Sequence, residues 1–128
     1  MQSRGSGDKI QNQKFICIQI NIVYLQYAKK AKMIQSIQHK GLKLLWTKGD
    51  KSKLPATMVA KILRILTIID ALEMVPDDLQ NLPYLRPHSL KGDLSGFWAM
   101  DVSGNWRIIF RFDNARHSAY DLDFVDYH

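Results

Sequence analysis

Thiol chemistry is almost missing from these 128 residues: Cys17 is the single cysteine. An internal disulfide framework and a cysteine-based zinc cluster are therefore excluded, in keeping with a reducing, cytosolic setting. Long apolar runs are missing too. The stretch "FICIQINIVYLQYA", Phe15 to Ala28, is broken by Gln19, Asn21 and Gln26 and has no small-residue cleavage site after it. It reads neither as a membrane span nor as a signal peptide, and no membrane partner is expected. Excess charge is also absent from most of the chain. The net charge of +6 suggests a polyanion partner, yet residues 1–32 carry six Lys and Arg against Asp8 alone, whereas residues 33–128 carry twelve against eleven acidic residues. Any anion site in the larger part must come from local clustering of cations, because no general positive field exists there.

What remains is the composition of a soluble globular domain, 46% hydrophobic and 23% charged, with room for one domain of ordinary size. Residues 1–13 are polar and glycine-bearing and read as a disordered lead-in. Residues 14–28 suit a strand or short helix, closed by the basic "KKAK" of Lys29 to Lys32. The expected organisation is thus an N-terminal extension over 1–32, either translated upstream sequence or an additional arm, and a domain over 33–128 that begins at Met33.

"MIQSIQ" (Met33 to Gln38) alternates as a first strand. "HKGLKLLWTKG" predicts a short helix with Leu42, Leu45 and Trp46 on one face and Gly49 as its stop. Pro55 opens a second helix predicted to run through "ATMVAKILRILTIIDALEMV" to Pro76, with Val59, Ile62, Leu63, Leu66, Ile69 and Leu72 as its core stripe. "PDDLQNLP" is a loop, after which the period changes from 3.6 to 2. Four strands are predicted in "YLRPHSL", "GFWAMDV", "NWRIIFRF" and "AYDLDFVDY", joined by "KGDLSG", "SG" and "DNARHS". The expected fold is α+β, with two N-terminal helices packed on a mostly antiparallel sheet of four to five strands.

Alternation assigns faces. Trp106, Ile108, Phe110 and Phe112 share one side, which leaves Arg107, Ile109 and Arg111 on the other. Tyr120, Leu122 and Phe124 are assigned to the apolar side of the last strand, with Asp121, Asp123, Val125 and Tyr127 opposite. Arg86 and His88 share a parity, and Lys91 lies in the next turn. If the helices cover the apolar side, cations, an imidazole and a phenol collect on the uncovered one. Phe97 has that same parity if Trp98 faces the core. His39, His117 and Cys17 show no metal-ligand spacing, so neither a metal site nor a cofactor is expected.

Three segments in order, "HSLKGDLSGFWAM", "GNWRIIFRF" and "DFVDYH", resemble the HigB-like toxins of the RelE superfamily, and "MIQSIQHKGLKLLW" is similar to that family's opening. The resemblance spans Met33 to His128. It implies an endoribonuclease of a type II toxin–antitoxin pair, cutting messenger RNA on the translating ribosome and silenced by a helix-turn-helix, HigA-like antitoxin. Two departures stand out. Ser89 replaces a frequent proline, and Asp101 occupies a place where some relatives carry a basic residue, which leaves fewer cations for phosphate.

Metal-free RNA cleavage of the kind the resemblance implies uses the substrate's 2′-hydroxyl as nucleophile. One group takes that proton, another protonates the leaving 5′ oxygen, and fixed positive charge stabilises the pentacovalent phosphate. A histidine of ordinary pKa near 6.5 suits either proton role, and an arginine fork suits the phosphate. With the resemblance the expected catalytic set is His88, Lys91, Arg107, Asp126, Tyr127 and His128, and shared parity adds Arg86, Arg111 and Phe97 as expected RNA contacts, Phe97 by stacking on a base. Bland alternatives stay open at each position: His88 as an ordinary exposed histidine, Arg107 paired with Asp121 or Asp123, Phe97 as an edge aromatic, and Tyr127 and His128 as a frayed end. At the level of the whole protein, the alternatives are a non-catalytic superfamily member that inhibits DNA gyrase and an inert RNA- or protein-binding module.

Overall fold

The computed structural model describes residues 33–126. The readings made for residues 1–32, and for Tyr127 and His128, lie outside that range.

The first helix, α1, spans Lys40–Lys48. It starts where His39 leaves helical geometry and its Nδ1 accepts a hydrogen bond from the Leu42 amide at 3.2 Å, which satisfies one of the orphan donors of the first turn. It ends at Gly49, whose φ of 71° gives the left-handed turn in which the Gly49 amide reaches back to Leu45. Leu42 and Leu45 are buried and Trp46 is half-buried against the core, as the spacing predicts.

The second helix, α2, spans Val59–Asp70 after a single tight turn at Ala56–Met58. It is shorter than the periodicity predicts, stopping before Ala71 rather than at Pro76. The cause is competition for backbone groups. The Asp78 carboxylate accepts from the amides of Glu73 and Met74 at 2.8 and 3.0 Å, and the Asn114 side chain binds both the amide and the carbonyl of Val75 at 2.9 and 2.8 Å. Those partners replace the i to i−4 ladder. The core stripe of α2 is Ile62, Ile65, Leu66 and Ile69, so Ile65 takes the place assigned to Leu63, which is 42% exposed.

Four antiparallel strands follow in the order of the chain: β1 His88–Ser89, β2 Trp98–Ser103, β3 Trp106–Asp113 and β4 Ser118–Asp126. The helices therefore lie mid-chain in the full sequence rather than at its N-terminus. The predicted first strand is reduced to two bridges, Ile34 to Ala119 and Ile37 to Leu122, which lay residues 34–37 parallel to the outer edge of β4. "YLRPHSL" forms only the two-residue β1. A tight turn at Pro83–Leu85 and a left-handed Arg86, at φ 49°, use up the rest.

One face of the sheet carries Met100, Val102, Ile108, Phe110, Ala119, Leu122 and Phe124, which share the main core with α1 and α2. The parity assignment fails at Tyr120. Arg111 pairs with Tyr120 while Ile109 pairs with Asp123, so two residues of β4, Asp121 and Leu122, oppose Phe110 alone. Asp121 takes φ 55° in this bulge, and the inserted residue reverses the alternation on its N-terminal side. Ala119 turns into the core in consequence, and Tyr120 moves to the opposite face.

Candidate functional site

The strand register arranges the face away from the helices into three rows across the sheet. Asp101, Arg107 and Val125 form one row, with Arg86 joined to it through Asp101. His88, Ala99, Ile109 and Asp123 form the second. Leu90, Phe97, Arg111 and Tyr120 form the third, the first two joined by the Leu90 amide donating to the Phe97 carbonyl at 2.9 Å. The middle of this face is apolar: Leu90, Ala99 and Ile109 are buried in a small cluster of their own, flanked by Leu94, Phe97 and Val125. Cations stand on either side of that cluster, with Arg107 and Arg111 about 13 Å apart along β3.

At one end, Asp101 holds two guanidinium groups. Its Oδ1 lies 2.7 Å from Arg107 Nε and its Oδ2 lies 3.2 Å from Arg86 Nε. The Arg107 and Asp101 side chains are only 14% and 17% exposed, whereas Arg86 is 77% exposed. The Nε to Oδ1 approach is a charge contact without hydrogen-bond alignment, so its attraction is coulombic. Arg107 Nη1 donates instead to the carbonyls of Gly104 at 2.7 Å and Trp106 at 3.1 Å. The guanidinium is thereby fixed in place before any ligand arrives. The ion pair anticipated for Arg107 exists, but with Asp101, its register partner on β2, rather than with Asp121 or Asp123.

At the other end, the Arg111 guanidinium lies over the Phe97 ring at 4.3 Å, a cation–π contact, and its Nε is 3.7 Å from Asp121 Oδ2. Asp121 is held in turn by Ser36 and Gln38, whose side chains donate to Oδ1 at 3.3 and 3.0 Å, while the Asp121 amide donates to Ser36 Oγ at 2.8 Å. Gly96 at φ 95° lets Arg111 lie there, since a Cβ on residue 96 would stand 2.6 Å from Arg111 Nη1. One face of the Phe97 ring is thus already occupied by an arginine, so a base meets the outer side of that stack or the opposite ring face.

His88 pairs with Ala99 and projects onto the same face. Its Nδ1 lies 2.9 Å from the Arg86 carbonyl, which can only accept, so Nδ1 carries the hydrogen, and in the neutral ring the lone pair is therefore on the other nitrogen, Nε2. That leaves an exposed histidine with a defined basic nitrogen. Lys91 is exposed where the chain enters the turn Gly92–Leu94. Asp126 is not brought to this face: it pairs with Trp106 and has helix-side parity at the exposed end of β4. Tyr127 and His128 lie beyond the described residues.

Two features of the site escape sequence reasoning. Asp101 reads in the sequence as one missing cation, yet in space it is the carboxylate that ties Arg86 to Arg107. Tyr120 reads as core but stands beside Arg111. The other histidines have structural partners: His39 caps α1 and His117 Nδ1 donates to the Glu73 carbonyl at 2.7 Å. No group of three or more His, Cys, Asp or Glu is disposed to hold a metal ion among the described residues, and no helix among them is long and apolar enough to cross a membrane.

Comparison with known proteins places these observations in a family. Residues 35–128 match the model of the RelE-like toxin of type II toxin–antitoxin system HigB. The chain is 44% identical over 96 residues to a protein of Proteus vulgaris named Endoribonuclease HigB, covering 75% of this chain and all of that protein. Among solved structures, a chain of the toxin–antitoxin complex RelBE2 from Mycobacterium tuberculosis aligns at 18% identity and a TM-score of 0.41, over 77% of this chain and 99% of that one. A YoeB/ParE toxin from Agrobacterium tumefaciens aligns at 16% identity and a TM-score of 0.43, over 73% of this chain and 99% of its own. The two structural likenesses are loose, but the family match covers most of the sequence and the curated relative is matched along its whole length. This chain belongs to the HigB family of RelE-like toxins of type II toxin–antitoxin systems.

Proposed function

We propose that residues 33–128 form a toxin domain that cleaves messenger RNA on the translating ribosome in the cytoplasm, without a metal, and is restrained by a helix-turn-helix antitoxin of the HigA kind. Residues 1–32 are an extension to that domain. The observation that carries the reading is the 44% identity with the whole of a protein named Endoribonuclease HigB. The sheet face supplies chemistry that fits it.

In this reading the RNA backbone crosses the face between the two cation groups. The 2′-oxygen attacks the adjacent phosphorus, and the bond from phosphorus to the 5′ oxygen breaks. One strand then ends in a 2′,3′-cyclic phosphate and the other begins with a 5′-hydroxyl. His88, with its lone pair on the exposed Nε2, takes or returns a proton. Arg107 and Lys91 stabilise the negative charge that builds on the phosphate, and fixed donors are most effective there because they need no reorganisation. Arg86 and Arg111 hold neighbouring phosphates, and Phe97 with its stacked arginine offers a surface to a base. Tyr127 and His128 complete the set, with His128 as the second proton-transfer group, and Asp126, whose parity is that of the helix side, serves to orient that ending rather than to meet the RNA on this face.

The test is expression of the full chain followed by mapping of transcript ends. Growth arrest with cuts inside translated codons is expected. His88→Ala and His128→Ala, each shown to fold, should restore growth. Full toxicity of both variants would remove them from the mechanism, and DNA-damage signalling without transcript cleavage would point to gyrase instead.

A further inference from the structure

Arg107 cannot present its full fork to a phosphate as it stands. Nη1 is committed to the Gly104 and Trp106 carbonyls, and Nε faces Asp101 at 2.7 Å. Nη2 alone has no role in these contacts. Arg86, the next nearest cation of the row, has its own Nε turned to the other oxygen of the same carboxylate at 3.2 Å. A carboxylate and a phosphate compete for the same guanidinium edges, since both offer two oxygens at matching spacing. Asp101 therefore occupies the position between Arg86 and Arg107 that a backbone phosphate needs. It is not a loose surface group: its Oδ1 is buried and its side chain is 17% exposed, so its charge is poorly screened by solvent and acts on the site continuously.

We propose that Asp101 is an attenuating residue, an internal competitor for RNA phosphate whose carboxylate lowers the affinity of the Arg86 and Arg107 pair until the substrate displaces it. This rests on the reading of the sheet face as an RNA-phosphate site. Asp101 touches no reacting atom in this scheme and acts through the two arginines. Its cost to affinity is offset by a benefit to the fold, because Arg107 is 14% exposed and a cation so placed needs a counter-charge when no ligand is bound. A competitor of this kind also selects among ligands: a lone phosphate must displace Asp101 for one contact, whereas a strand held at Arg111 as well brings the next phosphate to Arg107 at high local concentration.

The measurement is fluorescence anisotropy of the full chain with a 2′-O-methyl single-stranded RNA oligonucleotide, which binds but cannot be cut, across a salt series. Asp101→Asn removes the charge and keeps the shape. It should bind about tenfold tighter than the unsubstituted chain, the order expected for removing one like charge a few ångströms from a phosphate in a partly screened site. Its salt dependence should steepen by about 0.7 in the slope of log K against log salt, because the site then carries one more uncompensated positive charge to release counterions from the strand. Asp101→Glu, which keeps the charge, should stay within about twofold of the parent. A merely structural Asp101 would lower affinity on removal and leave the slope unchanged. Should the asparagine variant fold poorly, the unsubstituted chain answers the same question: the Arg107 Nε–H resonance must shift as the oligonucleotide binds. Equal or weaker binding by Asp101→Asn, or an unmoved Arg107 resonance at saturation, overturns the proposal. Cleavage by the unsubstituted chain on programmed ribosomes tests the endoribonuclease reading separately, so failure of one is not failure of the other.

Discussion

At the scale of single residues, the decisive question is what each charge on the open face of the sheet is already doing. Arg107, proposed as a phosphate ligand, already has a structural task, since its guanidinium neutralises Asp101 and ties down the Gly104 turn. Arg107→Ala leaves the half-buried Asp101 carboxylate with Arg86 as its remaining cation, and a loss of about 2 to 3 kcal/mol in unfolding free energy is expected by denaturant titration. Arg107→Lys should recover only part of it, because an ammonium cannot contact the carboxylate and two carbonyls in one plane. Gly96 is the second informative position. Gly96→Ala places a methyl 2.6 Å from Arg111 Nη1 at a backbone φ of 95°, so it should cost about 1 to 3 kcal/mol and push Arg111 off the Phe97 ring. Loss of the ring-current shift on Arg111 protons would report that displacement. An unperturbed stack in this variant would mean that the loop moves instead.

At the scale of elements, the loop after α2 is held by side chains that reach it from elsewhere in the chain. Asn114→Ala removes both bonds to Val75 and should cost about 2 kcal/mol, since Val75 is buried and its amide and carbonyl lose their partners. Asp78 acts on the same loop. Donation from the Met74 and Glu73 amides holds its carboxyl below the ordinary aspartate range. A depressed folded value means that the stabilisation is fully present above the unfolded pKa, about pH 4, and is lost as pH falls through the lower folded one. Solvent exposure holds the effect of Asp78→Ala to about 1 kcal/mol, and the difference between variant and parent should shrink below about pH 4. A difference that stays constant down to pH 2 would contradict this.

Elements are also where the sequence reads well or badly. α1 was legible at both ends because Gly49 is a strong local stop and the Leu42, Leu45 and Trp46 face follows helical spacing. The end of α2 was not, because the groups that stop it, Asn114 and Asp78, lie 39 and a few residues away in the chain and leave no mark in local periodicity. β3 alternates cleanly, and its faces follow from the sequence; in β2 they follow only once Trp98 is known to face the core, and the register there shifts between Asp101 and Ser103. In β4 the bulge at Asp121 inserts one residue, and a pattern of period 2 cannot show an insertion whose cause is the backbone angle of one aspartate. Arg107 and Arg111 are legible by parity as sharing one side of β3, whereas Arg86, at φ 49° outside β1, and Lys91, at the turn, are not placed by strand alternation. Asp101 as the partner of Arg86 and Arg107 was not legible either, since whether a carboxylate across a strand repels or pairs depends on register, which sequence alone leaves open.

At the scale of the whole molecule, two surfaces of one sheet divide the work. The helix-covered side, with Phe110, Ile108, Met100 and Leu122 fully buried, supplies the stability. The other side carries a small apolar centre with arginine-bearing ends, which suits an extended polyanion better than a compact ligand. The near neutrality of residues 33–128 gives a further expectation: RNA binding should depend on these particular arginines rather than on overall charge. Arg86→Ala and Arg111→Ala, at the two ends of the face, should each weaken oligonucleotide binding, and the double variant should reduce the salt slope by about 1.4, two single-strand phosphate contacts. A slope unaffected by both changes would relocate the RNA to another surface.

Attack by the substrate's own 2′-hydroxyl leaves a signature in the chemistry of the cut ends. Purified full chain is incubated with ribosomes translating a defined messenger RNA, and the ends are identified by their reaction with kinase and phosphatase. A 2′,3′-cyclic phosphate is expected on the upstream fragment and a 5′-hydroxyl on the downstream one, with both lost in His88→Ala. Fragments bearing a 3′-hydroxyl and a 5′-phosphate, or no fragments at all, would contradict attack by the 2′-hydroxyl.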